Sequence, residues 1–180
     1  AAALNLASSG VHVTLIEKAP FLGGTLAQIE RQFPTNRCLM CTMLPVTSRT
    51  EDAEFCLRRD FSHPLIDVRL LTTLTGVEGE AGDFTVHLET RPRFVSEDAC
   101  TACGKCEEVC PEEVPDPFNG DLSSRKAIYV RKPQGIPNTY VIDEAACSKC
   151  GKCVGVCPTN AITLDAAPEK WQLKAAAVVV

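Results

Sequence analysis

Eight cysteines fall into two matching strings: Cys100, Cys103, Cys106 and Cys110 before Pro111, then Cys147, Cys150, Cys153 and Cys157 before Pro158. The strings also share a Gly-Lys pair (Gly104-Lys105 and Gly151-Lys152), and they lie 47 residues apart. Thiolates are ligands for soft metals. Three at two-residue spacing wrap a loop around three corners of a cubane 4Fe–4S cluster, with backbone amides free to point at the sulfurs. The fourth follows on a short helix, and the proline turns the chain away. In two-cluster proteins with this spacing the fourth cysteine serves the other cluster. One cluster is thus expected on Cys100, Cys103, Cys106 and Cys157, and the other on Cys147, Cys150, Cys153 and Cys110. Structural zinc prefers two separated C-x2-C pairs, which suits three-plus-one strings poorly. Disulfides suit an odd total of 11 cysteines even less.

The strings define a duplicated module of the two-cluster bacterial ferredoxin type, α+β in character. Each copy follows a pair of acids (Glu97-Asp98, Asp143-Glu144) and a strand-like segment, Arg93–Val95 or Tyr140–Ile142. Between Cys110 and Cys147 lie 36 residues, a longer link than a compact ferredoxin needs. The link carries a strand of its own at Lys126–Arg131 and offers a docking surface. Lys105 and Lys152, inside the cluster loops, read as solvated charges.

These strings need elements to hold them, and the rest of the chain supplies a different pattern. Ala1–Ser9 reads as a helix end capped by Gly10. Val11–Glu17 is a mostly apolar run with β-branched residues, typical of a strand in a parallel sheet. Thr25–Gln32 and Ser48–Phe61 read as short helices. Pro64–Val77 and Phe84–Thr90 alternate around Gly82-Asp83 as hairpin strands, and Trp171–Val180 reads as a closing strand. Residues 1–91 and 166–180 are therefore expected to form one unit, with 92–165 set into it.

Composition narrows the function classes. The 180 residues are 45% hydrophobic and 23% charged, enough for a packed core. No apolar run approaches the ~20 residues of a membrane span. A net charge of −5 argues against nucleic acid. Two clusters with their thiolates, each about −2, would bring the total to about −9 and favour a basic redox partner. The absence of a signal peptide at the start and the clustering of thiols point to a reducing, cytoplasmic compartment.

Glu17 ends its strand where a dinucleotide-binding βαβ unit places the acid that takes the ribose hydroxyls. The glycine loop of such a unit would lie about 20 residues earlier, before Ala1. Gly23-Gly24 follows at the spacing seen after that acid in flavin enzymes. Together, Glu17-Lys18, Gly23-Gly24, Phe33-Pro34-Thr35-Asn36, Cys38-x2-Cys41 and the double cysteine string with Arg125-Lys126-Ala127-Ile128-Tyr129 between its halves resemble one family, the A-type (iron–sulfur flavoprotein) subunits of CoB–CoM heterodisulfide reductase. The likeness runs over essentially the whole chain.

That resemblance implies an α/β fold: a truncated FAD-binding, Rossmann-like core of the thioredoxin/glutathione-reductase type, interrupted by the ferredoxin insertion. The N-terminal glycine loop and the C-terminal remainder of that core are expected to be missing. It implies two 4Fe–4S clusters, and FAD in the intact protein, contacted by Glu17, Lys18, Gly23 and Gly24. It also implies electrons received from a hydrogenase or formate dehydrogenase, divided by flavin-based bifurcation, and passed within a complex that reduces its disulfide on a different polypeptide.

Cys38 and Cys41 stay open between a redox-active dithiol, ligands to a further cluster completed elsewhere, and two buried thiols. Cys56 reads as a core residue, and His12, His63 and His87 have no ligand-spaced partner. Two rival functions follow from these residues. One is a ferredoxin-like carrier without catalysis of its own. The other is a flavin disulfide reductase using Cys38 and Cys41.

Overall fold

The computed structural model describes residues 2–29, 63–131 and 135–179, which pack as two compact units. The first unit holds residues 2–20, 63–92 and 167–179, and the second holds 21–29, 93–131 and 135–166.

In the first unit, helix α1 (Ala2–Ser8) ends in a Schellman motif. Gly10 takes φ +85°, its N–H donates to the Ala7 carbonyl, and the Val11 N–H donates to the Leu6 carbonyl. Only glycine adopts that φ without strain, so the chain can leave the helix there and enter β1 (Val13–Ile16). Strand β1 pairs in parallel with β2 (Ile66–Arg69), Val13 opposite Ile66 and Ile16 opposite Arg69. Pairing persists past the strand, because the Glu17 N–H donates to the Arg69 carbonyl and the Thr72 N–H to the Glu17 carbonyl.

Pro64–Val77, expected as one hairpin strand, is two strands. The chain turns at Leu71, which adopts φ +55°, and only β3 (Thr72–Glu80) joins β4 (Asp83–Thr90) in the hairpin. The last strand, β9 (Glu169–Ala175), pairs antiparallel with the other edge of β4, giving the order β3-β4-β9. It starts before Trp171 and stops at Ala175, so the apolar close at 176–179 lies outside the sheet. Val86 and Leu88 are buried on one face of β4, with Trp171 directly opposite Leu88. A cross-strand aromatic–aliphatic pair of this kind contributes roughly 0.2–1 kcal/mol. Trp171 also donates its indole N–H to Thr90 Oγ1 at 3.0 Å, and the Arg69 guanidinium lies 5.6 Å from the indole centroid.

The second unit has few long elements. It contains a 3-10 turn at Gly24–Gln28 and helices α2 (Lys105–Glu108) and α3 (Lys152–Val156). Strands β5 (Glu113–Pro115) and β6 (Ser124–Lys126) form one ladder, and β7 (Ile128–Tyr129) and β8 (Val141–Ile142) another. The expected link strand Lys126–Arg131 is divided at Ala127, whose N–H still follows the β5–β6 register to the Glu112 carbonyl while its own carbonyl accepts the Asp143 N–H on the β7–β8 side. The core gathers Phe94, Val95, Ile128, Tyr140, Ile142 and Ile162 around Cys106 and Cys153. Gly23-Gly24, placed by sequence with the flavin half, packs in this unit. Phe21 beside it is fully buried, with Tyr129 edge-on at 5.9 Å and the Arg93 and Arg131 guanidiniums 5.3 and 5.4 Å from its ring.

Candidate metal centres

Each cysteine loop begins from a tight turn: the Cys100 N–H donates to the Ser96 carbonyl, and the Cys147 N–H to the Asp143 carbonyl. The loops then repeat the same backbone reversals. Ala102 and Lys149 adopt φ +53° and +55°, and Gly104 and Gly151 adopt +90° and +76°. Left-handed residues beside ordinary ones turn successive amides toward one side, a concavity that suits anions and iron–sulfur clusters. Backbone amides already point at sulfur, among them Lys149 N–H on Cys147 Sγ at 3.4 Å and Ala161 N–H on Cys157 Sγ at 3.3 Å.

The third cysteine of each string, Cys106 or Cys153, lies inside the short helix, and the fourth follows it instead of riding on it. Proline explains the difference. The residue before a proline is disfavoured in helical conformation, so α2 ends before Cys110-Pro111 and α3 before Cys157-Pro158, with Cys157 extended at φ −73°, ψ 112°.

All eight cysteines are free thiols, and they divide into two sets of four. Cys100, Cys103, Cys106 and Cys157 line one cavity, with Tyr140 and Ile162 in its wall. Cys110, Cys147, Cys150 and Cys153 line the other, with Ile128 and Ile142 in its wall. The cavities are alike in lining, four thiols and an apolar wall in each, which suits the same occupant in both. Among the described residues no three ligand-type side chains close on a single-ion site, and four thiols line each cavity. That donor set fits an extended cluster with one thiolate at each corner. Cys103 and Cys150 are exposed, whereas Cys106 and Cys153 are buried.

Burial pushes the Cys106 thiol up to about 12 and raises Cys153 as well, because a dry environment disfavours the thiolate. At Cys157 burial is the largest single influence and acts to raise the thiol, but hydrogen bonds from Ala161, Thr159 and Asn160 together outweigh it and lower the thiol.

The link holds the second loop from outside. Arg125 pairs with Asp143 at 2.7 Å while its guanidinium stacks 4.0 Å from the Tyr129 ring, and the Asp143 carbonyl caps the Cys147 turn. Lys126 pairs with Glu113 at 2.8 Å across the β5–β6 ladder. Lys105 and Lys152 are exposed.

One pair escaped the sequence reading. The buried Tyr140 hydroxyl, in the wall of the first cavity, donates to Glu107 Oε2 at 2.6 Å. Burial and then the Glu107 contact raise the phenol above its ordinary range, so it stays a donor. The partners are 33 residues apart, and no local spacing announces them.

Glu17 and Lys18 fall in the first unit, and Gly23 and Gly24 in the second. Glu17 is half-buried at the carboxyl end of β1, and its carboxylate accepts the Ala19 N–H at 2.8 Å. Gly23 and Gly24 both adopt positive φ, and a Cβ at Gly24 would meet only open space. Cys38, Cys41, Cys56 and the segment Phe33–Asn36 lie outside the described residues. Among the described residues no helix is long and apolar enough to cross a membrane.

Residues 99–162 match the family described as a 4Fe-4S dicluster domain. The chain is 46% identical to an A-type iron–sulfur subunit of CoB–CoM heterodisulfide reductase from Methanopyrus kandleri, over 99% of the chain and 26% of that protein. It is 41% identical to the A-type subunit of the H(2)/formate:CoB-CoM heterodisulfide,ferredoxin reductase of Methanococcus maripaludis, over 98% of the chain and 25% of the relative. Identity to the A-type subunit of the ferredoxin:CoB-CoM heterodisulfide reductase of Methanosarcina mazei is 36%, over 99% and 21%. The chain thus spans about a quarter of the length of the curated relatives it matches.

Proposed function

We propose that this chain, which corresponds along nearly its whole length to one segment of the A-type subunit of CoB–CoM heterodisulfide reductase, is an iron–sulfur electron-transfer module of a heterodisulfide reductase-type complex. The observation that carries the proposal is the division of eight free thiols into two sets of four, each lining its own cavity. When bound, a 4Fe–4S cluster accepts and gives up one electron at a time.

The chain's own residues do the rest. Cys100, Cys103, Cys106 and Cys157 would hold one cluster, and Cys147, Cys150, Cys153 and Cys110 the other. Each set takes its fourth thiol from the opposite string, so binding would tie the two halves of the module together. The N–H donors at Cys147 and Cys157 would share the thiolate charge, and the apolar walls around Ile128, Ile142 and Ile162 limit water. Exposed Cys103 and Cys150 mark where each site comes nearest to solvent, and so to a partner.

The finer reading is also a proposal. FAD in the intact protein would meet Glu17, Lys18, Gly23 and Gly24, supported by the acid at the end of β1 and the open turn at Gly24. Bifurcation, a hydrogenase or formate dehydrogenase donor and a cytoplasmic setting belong to the same proposal. They rest on the resemblance and on the names of the relatives. Cys38 and Cys41 keep both functional roles, a redox pair or ligands to a further cluster.

Iron and acid-labile sulfide, measured on anaerobically prepared protein, are expected at about eight each for the two sets of thiols. A zinc-only result would refute the cluster assignment. Bound FAD in the intact parent protein separates a flavin-linked module from a ferredoxin-like carrier, since a fully clustered protein without flavin supports the carrier.

A further inference from the structure

We propose that the Glu107 carboxylate, fixed by the Tyr140 hydroxyl over the Cys103–Cys106 loop, lowers the midpoint potential of the cluster on Cys100, Cys103, Cys106 and Cys157. Its twin receives no such influence at the matching position. The inference rests on the two-cluster reading above and concerns how the two clusters differ.

The module is duplicated in sequence, so the places where it departs from its own symmetry are informative. Glu107 follows ligand Cys106, and the residue at the same place after Cys153 is Val154. Lys105 and Lys152 match in sequence, but Lys105 lines the first cavity whereas Glu112, and not Lys152, lines the second. The informative quantity is therefore each cluster's own shift on substitution and not the difference between the two. The Tyr140 hydroxyl lies over the first loop alone: a Cβ built at Gly104 would stand 3.7 Å from its oxygen, and one built at Gly151 would meet nothing within 4 Å.

The hydrogen bond gives the charge its leverage. A glutamate free in water is screened by a high dielectric and acts weakly on a neighbour. Glu107 is instead held at 2.6 Å by a phenol that is only 1% exposed, the short distance of a bond from a hydroxyl to an ionised carboxylate. The negative charge is therefore stationed at the loop carrying Cys103 and Cys106. Adding an electron beside a fixed negative charge is disfavoured, and net charge is one of the quantities that sets cluster potential.

The test is a redox titration of the holoprotein, following the hyperfine-shifted cysteine β-proton NMR signals that resolve one cluster from the other. Glu107→Gln is expected to raise the first cluster's midpoint by about 59 mV, a tenfold change in how the two clusters share an electron, and to leave the second unmoved. Tyr140→Phe should raise the same midpoint by less, since the carboxylate stays but loses the hydrogen bond of the phenol. Val154→Glu, at an exposed position, should lower the second cluster's midpoint. Fully loaded variants with unmoved midpoints, or with both clusters shifted equally, would overturn the inference. If Glu107→Gln fails to load, Tyr140→Phe and Val154→Glu decide by the same criteria. Wild-type protein without iron and sulfide would instead bring down the two-cluster reading itself.

Discussion

At the scale of single residues, the function turns on which sulfur serves which loop. Cys157 lines the cavity of Cys100, Cys103 and Cys106, although it belongs to the second string. Cys157→Ser is therefore expected to perturb the cluster of the first string and leave that of the second. Cys153→Ser, in the second set, should do the reverse. Iron content should fall below the roughly eight expected in both variants. Electron paramagnetic resonance would show which cluster signal is changed, and the same signal lost in both variants would refute the crossed grouping. Arg125 is the second residue of consequence, because one guanidinium pairs with Asp143 and stacks on Tyr129. Both ion-pair partners are partly buried, so removing one leaves a charge without compensation. Arg125→Ala is expected to destabilise the holoprotein by about 1–3 kcal/mol. Anaerobic denaturant titration reads this as a lower midpoint with an unchanged slope. Lysine at the same position should recover only part of the loss, since it cannot stack and bond as a planar fork.

At the scale of elements, the β3–β4 hairpin separates two ways in which a glycine can be required. Gly79 and Gly82 have nearly the same φ, +97° and +99°. A Cβ at Gly82 would meet nothing, whereas one at Gly79 would stand 2.3 Å from the Asp83 carbonyl oxygen. Gly82→Ala is therefore expected to cost about 1 kcal/mol from backbone strain alone. Gly79→Ala should cost more than twice that and shift the melting temperature accordingly, and equal losses in a thermal melt would show that the clash is relieved at no expense. The same elements show what the sequence could and could not reveal. Helix α1 and its Gly10 cap are written locally, as are the alternation of β4 and the turn at Gly82, because each depends on neighbours within a few residues. The division of 64–77 into a parallel strand and a hairpin strand is not local. It depends on β1 claiming Ile66–Arg69 as partners, and Leu71 takes an unfavourable backbone to allow it. The helices ended before the Cys-Pro steps for a reason present in the sequence, the preference of the pre-proline residue. For the candidate site, spacing delivers the sets of three thiols, and the cavity walls group the fourth with the opposite string. Tyr140–Glu107 and Arg125–Asp143 join residues 33 and 18 apart, and only the folded chain brings them together.

At the scale of the whole molecule, the two units differ in what stabilises them. The first has a three-stranded antiparallel sheet with strands of 9, 8 and 7 residues, whose ladders and buried face need no metal. In the second no described helix exceeds 5 residues and no described strand exceeds 3, lengths far below what sustains an isolated element in water. Its small core is built around Cys106 and Cys153, two of the proposed ligands. When ligands sit inside the core, binding free energy becomes folding free energy, and removing the metal removes much of the fold. Stripping iron with a chelator under reducing, anaerobic conditions is therefore expected to unprotect residues 93–131 and 135–166 while strands β3, β4 and β9 keep their protection. Hydrogen exchange read by mass spectrometry distinguishes the units peptide by peptide. Simultaneous loss of protection in both would mean that the sheet depends on the clusters. Unchanged protection in both would mean that the second unit is stable on its apolar core alone, and that the clusters are passengers in a fold already made.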